Sequence, residues 1–122
     1  MDKILHIKTD DTKEFLTEER CHIVELLNNP NDRSSSIARA RVEPDVTTAW
    51  HRLKDTAEMY YILEGQGLME IGEDYTQEVS KGDIIKIPEN TPQRITNTGV
   101  EDLLILCFCV PAFGMENYEG LE

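Results

Sequence analysis

The chain has no apolar run approaching the roughly 18 residues that a membrane-spanning helix needs. Its first residues, MDKILHIKTDD, lack the apolar block and small-residue cleavage site of a signal peptide. Both absences predict a cytoplasmic protein with no membrane partner. Cysteine is scarce and odd in number: Cys21, Cys107 and Cys109 are the only three. In a reducing compartment that count does not make a disulfide framework. Basic residues are half as many as acidic ones, 12 against 24, and the net charge is -12. So acidic a chain repels phosphate backbones, and nucleic acid is not an expected partner. No Lys or Arg follows Arg94, while Glu101, Asp102, Glu116, Glu119 and Glu122 do, so the end reads as solvated acidic surface. Internal repeats, low-complexity stretches and linker-like segments are also missing.

What is present reads as one domain, residues 1–122. A chain of this size buries roughly 65% of its unfolded surface, so it holds a core without disulfide or metal staples. The middle of the sequence alternates as strands do, with short polar breaks. SIARARV (36–42) puts Ala38, Ala40 and Val42 on one face and Ile37, Arg39 and Arg41 on the other. EMYYIL (58–63), LMEIG (68–72), GDIIKIPEN (82–90), PQRITN (92–97) and LLILCFCV (103–110) follow, separated by EGQG, an acidic EDY turn and Pro-containing breaks. This spacing predicts an all-β sandwich or barrel. No interval has room for a crossover helix, so the pairing is expected to be antiparallel. CHIVELLNN reads as a strand that returns through NNPND into SIARARV as a hairpin. DDTKEFLTEER (10–20) reads as a capped helix, and AFGMENYEGLE as a loop or helical turn over one end.

Few residues carry chemistry. His6 lies in a polar segment and reads as surface, and His22 as half-buried structure. His51 stands apart: it follows Trp50, a carboxylate comes seven residues later at Glu58, and Gly65 and Gly67 make the next turn. Cys107 and Cys109 share a strand face with Leu103 and Ile105. They read as small buried hydrophobes or, alternatively, as reactive or ligating thiols. Tyr60 shares a face with Glu58 and offers a phenol as an acid, or packs in the core. Arg39 and Arg41 either face solvent or a partner subunit, or line the interior and bind a carboxylate or phosphate bidentately. Arg94 is expected to point outward and Asp55 to sit solvated at the mouth.

WHRLKDTAEMYYILEGQG (about 51–67) resembles the first motif of the cupin superfamily through His51, Glu58 and Gly65. GDIIKIPENTPQRITN (82–97) resembles the second through Gly82, Pro88 and Asn97, with Asn90 in place of its middle glycine. The resemblance implies a jelly-roll-like antiparallel β-barrel, or double-stranded β-helix, with one pocket between the sheets. It also implies a metal site. Leu53 and Gln93 stand where two of the family's histidines would be, so the implied ligands are His51, Glu58 and Gln93, a mixed set for Zn, Mn, Fe or Ni. Two functions follow. One is a metal-dependent isomerase, lyase, decarboxylase or dioxygenase on a small oxygenated metabolite, with Tyr60 as acid and Arg39, Arg41 or Cys107 against the substrate. The other is a metal-free, non-catalytic binder or sensor of a small molecule. The resemblance and the need to cover edge strands both imply a homodimer.

Overall fold

The computed structural model describes residues 4–122. Its strands are β1 (Phe15–Leu16), β2 (His22–Leu27), β3 (Ser36–Val42), β4 (His51–Leu53), β5 (Ala57–Glu64), β6 (Gln66–Ile71), β7 (Tyr75–Ser80), β8 (Ile84–Ile87), β9 (Gln93–Asn97), β10 (Leu103–Val110) and β11 (Tyr118–Gly120). They form two antiparallel sheets, ordered β1-β2-β3-β10-β5-β8 and β11-β4-β9-β6-β7. The sheets face each other as a double-stranded β-helix. No ladder closes them into a continuous barrel, because β1 and β8 end one sheet and β11 and β7 end the other.

Alternation along the strands decides what lies between the sheets. β3 buries Ala40 and Val42, and β10 buries Leu103, Ile105, Cys107 and Cys109. Antiparallel register sets Val42 beside Leu103 and Ser36 beside Cys109. Bulk therefore gathers at one end, where Val42, Ile62 and Leu103 are almost wholly buried. Each such side chain contributes roughly 1.5–3 kcal/mol by leaving water. The other end receives only Ser36, Ala38, Cys107 and Cys109 from β3 and β10, and it is left unfilled.

Three segments depart from expectation. Residues 10–20 form no α-helix. One 3-10 turn, Asp11–Lys13, is capped by Asp10, which accepts from the Thr12 amide. The chain then pairs with β2 through Phe15 and Leu16. These adjacent apolar residues make no stripe at helical spacing, so a helix here would have no face to bury. Second, β7 is a strand in a stretch where only a turn was expected. It exposes every residue but Val79 and so carries little apolar signal. Third, AFGMENYEGLE makes the expected helical turn at Met115–Asn117 and then also adds β11 to the edge of β4, with Tyr118 opposite Leu53 and Gly120 opposite His51.

Gly65 and Gly82 both hold left-handed backbone, φ 96° and 93°. They differ in their surroundings. A Cβ on Gly65 would meet Asp102 O and Leu103 Cα at 3.0 Å, whereas one on Gly82 would meet nothing within 4 Å. Gly82→Ala should therefore cost about 1–2 kcal/mol of backbone strain. Gly65→Ala should cost that plus about 1–3 kcal/mol of overpacking. Urea unfolding of the two variants checks the ranking, and equal losses would contradict it.

Candidate functional site

The unfilled end is a cavity of about 640 Å³. Small residues of β3 and β10 make its back wall. The turn at residues 17–21, Phe113 and Tyr118 border its mouth. The polar side chains on its wall come from different strands brought together by register. Glu58 on β5 lies opposite Cys109 on β10, and Tyr60 lies opposite Cys107. His51 on β4 lies opposite Gln93 on β9.

His51 is 3% exposed. Its Nδ1 lies 2.8 Å from the Ala49 carbonyl, which only accepts, so Nδ1 carries the hydrogen. Nε2 is left as the free nitrogen of the ring. Tyr118 stacks on that ring at 5.2 Å and fixes its plane. Glu58 is 8% exposed. Its Oε1 accepts from Gln93 Nε2 at 2.9 Å, and Gln93 Oε1 in turn accepts from the Tyr60 hydroxyl at 2.9 Å. The second Glu58 oxygen meets only the Cys109 thiol, at 3.8 Å. Burial pushes the Glu58 carboxyl up to about 7, against the pull of the Gln93 hydrogen bond and His51. Burial also raises the Tyr60 hydroxyl far above its usual value, so Tyr60 acts as a donor and not as a base.

Glu19 was not foreseen. It sits in TEER, a charge-rich stretch that nothing in the sequence separates from solvated surface. A turn closed by Thr17 N to Cys21 O, with Arg20 left-handed at φ 74°, carries it over the cavity. Its Oε1 stands 3.9 Å from His51 Nε2, beyond hydrogen-bond reach. Burial raises its carboxyl, and His51 opposes the rise. Arg20 anchors the turn by donating from Nε to Thr47 O at 2.9 Å and pairing with Glu122 at 3.1 Å. Glu122 also accepts from the Trp50 amide at 2.7 Å.

The structure places the other predicted residues as follows. Cys107 and Cys109 face the cavity, as does Cys21, and all three are buried free thiols. Burial holds the Cys107 thiol well above its ordinary value and pushes Cys21 up to about 12, so neither is a thiolate at neutral pH. Arg39 and Arg41 do not line the cavity. They sit on the outer face of β3, where Arg39 pairs with Asp11 at 3.0 Å and Arg41 with Glu14 at 2.7 Å and Asp102 at 3.2 Å. Alternation separates them from Ala38, Ala40 and Val42, and the acidic partners hold them on the outer face. Arg94 points outward, paired with Glu70 and lying over the Trp50 ring at 4.9 Å.

With this geometry in hand, the kinships of the chain become specific. A model of the cupin domain matches residues 38–109. The chain belongs to the cupin family. An uncharacterised protein of Methanocaldococcus jannaschii is 40% identical over 98% of this cupin and 97% of its own length. A nucleoside dehydratase from Streptomyces, whose variants have been solved with uridine, superposes with a TM-score of 0.79 at 16% identity, over 97% of this chain and 92% of that one. A predicted oxalate decarboxylase from Thermotoga maritima gives 0.75 at 20% identity, over 86% and 99%. At these identities the solved structures share the fold alone.

The cupin motifs explain two side chains beyond the cavity. Asn90, in the glycine position of the second motif, has φ 62°, a conformation that asparagine tolerates far better than most residues. Asn97 is 1% exposed and ties the end of β3 to the β9–β10 loop by donating to Val42 O and Glu101 O and accepting from the Gly99 amide. The expected metal ligands come together, with His51 opposite Gln93 and Gln93 bonded to Glu58 at 2.9 Å, but not as three free donors. The Gln93 amide directs its N–H at Glu58, and its oxygen already holds the Tyr60 hydroxyl. Gln93 lies behind the cavity wall, while Leu53 presents hydrocarbon to it. Among the described residues no three His, Cys, Asp or Glu side chains come together in a way that would hold a metal. Such donors do not fit a divalent ion.

The raised Glu58 carboxyl has a consequence for stability. Folded Glu58 keeps its proton up to about pH 7, whereas its ordinary value is 4.5. Between those values the folded state binds more protons than the unfolded one, so stability falls as pH rises through that window. Glu58→Gln keeps an acceptor for Gln93 and removes the titration. It should be more stable than wild type at about pH 8, on the order of 1–3 kcal/mol, and lose that advantage near pH 4. Calorimetry at the two pH values checks this, and equal destabilisation at both would contradict it.

Proposed function

We propose that the protein is an enzyme that moves protons on a small oxygenated molecule held between its sheets, by dehydration or isomerisation. The observation that carries this reading is the pairing of His51 and Glu58. Both are buried on the wall of one cavity, one with a ring nitrogen that has no hydrogen-bond partner and the other with a carboxyl that keeps its proton near neutral pH. A carboxyl poised close to the working pH is an effective acid. The likeness to a nucleoside dehydratase supports the same chemistry.

In the dehydration form, His51 Nε2 takes the proton from a carbon next to a carbonyl. The electrons of that C–H bond form the new double bond as the neighbouring hydroxyl leaves. Glu58 gives its proton to that hydroxyl, which departs as water, and the proton on His51 returns to Glu58 through solvent. Tyr60 and Gln93 serve as positioning residues, since their hydrogen bonds end on the Glu58 carboxyl. The turn bearing Glu19 and the stacked Tyr118 limit access of water to the cavity. No step passes through a metal.

The test is proton NMR in deuterated buffer with a pool of β-hydroxy aldehydes, β-hydroxy ketones and oxidised nucleosides. Exchange at the activated carbon or new olefinic signals are expected. His51→Gln and Glu58→Gln should each lower the rate by about 10²–10⁴, the usual contribution of an acid–base group. Chelator treatment should leave the rate unchanged. Full activity in both variants would refute the assignment. Activity lost to chelator and restored by Zn, Mn, Fe or Ni would replace it with metal catalysis.

A further inference from the structure

We infer that the cavity selects a protonated amine with an apolar body and rejects carboxylates and phosphates. This names the substrate class of the proposed enzyme and rests on its cavity being the working site. The acidic side chains Glu18, Glu19, Glu25 and Glu58 line the cavity, and among the described residues no Lys or Arg does. With Glu58 holding its proton, the wall's charge comes from the other three and has one sign. The acidic groups are graded in depth. Glu18 and Glu25 are exposed at the rim, Glu19 has a side chain 25% exposed, and Glu58 is buried at the floor. A cleft of one sign with low-dielectric walls focuses its field and concentrates counter-charged ligands.

The basic residues that would recognise an anion are engaged elsewhere. Arg39 and Arg41 lie on the outer face of β3 with Asp11, Glu14 and Asp102. Arg20 is bound to Thr47 O and Glu122. Arg33, beside the rim, donates to Asn28 Oδ1 and to the Asn29 and Phe113 carbonyls.

Two groups on the wall also want for partners. Among the described residues the half-buried Glu19 carboxylate has no N–H or O–H donor, only the Cys21 thiol at 3.9 Å and His51 Nε2 at 3.9 Å. His51, 3% exposed and on the cavity wall, has no hydrogen bond at Nε2. A half-buried carboxylate without donors is costly unless a cation completes it. An ammonium at Glu19 supplies that cation and leaves Glu58 and His51 to the rest of the molecule. Phe15, Phe113 and Tyr118 provide apolar and aromatic surface for its body.

Phenethylamine, 2-phenylethanol and phenylacetate share a skeleton and differ in head group. Their equilibrium binding is compared by calorimetry at neutral pH and low salt. The amine should bind at least about tenfold more tightly than the alcohol, and phenylacetate more weakly than either. Glu19→Gln should erase the gap between amine and alcohol. A Glu18→Gln, Glu25→Gln double variant, altered only at exposed positions, should slow amine association and flatten its salt dependence. Phenylacetate binding as well as the amine, a gap that survives Glu19→Gln, or no saturation by the amine at about 20 mM would each overturn the inference. The readout involves no turnover, so such a failure removes the substrate class and leaves the His51 and Glu58 assignment to its own assay.

Discussion

The site depends on a carboxyl kept almost dry. Glu58 is 8% exposed and has a single full hydrogen bond, from Gln93. An ionised carboxylate in such a place is expensive, so the group holds its proton instead. The Gln93 amide bridges the two groups, donating to Glu58 and accepting from the Tyr60 hydroxyl. The network thus orients the carboxyl toward the cavity and keeps its proton available. Buried polar chains of this kind are worthwhile only when every member is satisfied. Here the weakly held positions are the second oxygen of Glu58, which meets only the Cys109 thiol, and Nε2 of His51, and both residues line the space a ligand would fill.

That space follows from side-chain size. Ser36, Ala38, Cys107 and Cys109 stand where the opposite end of the same strands carries Val42, Leu103 and Ile105. The chain stays folded around the gap because the filled end supplies the packing. The cover comes from both ends of the sequence. Arg20 and Glu122 are 102 positions apart and pair across the mouth. Both are about half exposed, so their pairing contributes little stability. Its value is geometric: it sets the turn that carries Glu19, while β11 sets Tyr118 against His51.

Much of this was legible in the residues. The antiparallel strands from 36 to 110 showed their alternation, and the spacing of His51, Glu58 and Gly65 pointed to the fold before any coordinates. Asn90 in a glycine position was legible too, since asparagine shares glycine's tolerance of left-handed backbone. The hydrogen bonds that tie Gln93 to Tyr60 and Glu58 were not, because the orientation of an amide depends on neighbours from other strands. Arg39 and Arg41 could be divided from Ala38, Ala40 and Val42 by periodicity, but which face was inner required the acidic partners at Asp11, Glu14 and Asp102. Glu19 was invisible for a different reason. It reaches the cavity through a turn held by the distant Thr47, Ala49 and Glu122, and no local pattern encodes that contact. β7 was missed because an exposed strand needs no apolar face.

The most direct measurement is the titration of the Glu58 side-chain carboxyl by carbon-13 NMR, with Glu58→Gln to assign its resonance. A buried, under-partnered carboxyl on the cavity wall predicts a midpoint near 7. A midpoint at or below the ordinary 4.5 would mean that Glu58 is solvated or paired with a cation in the resting protein, and would contradict the account.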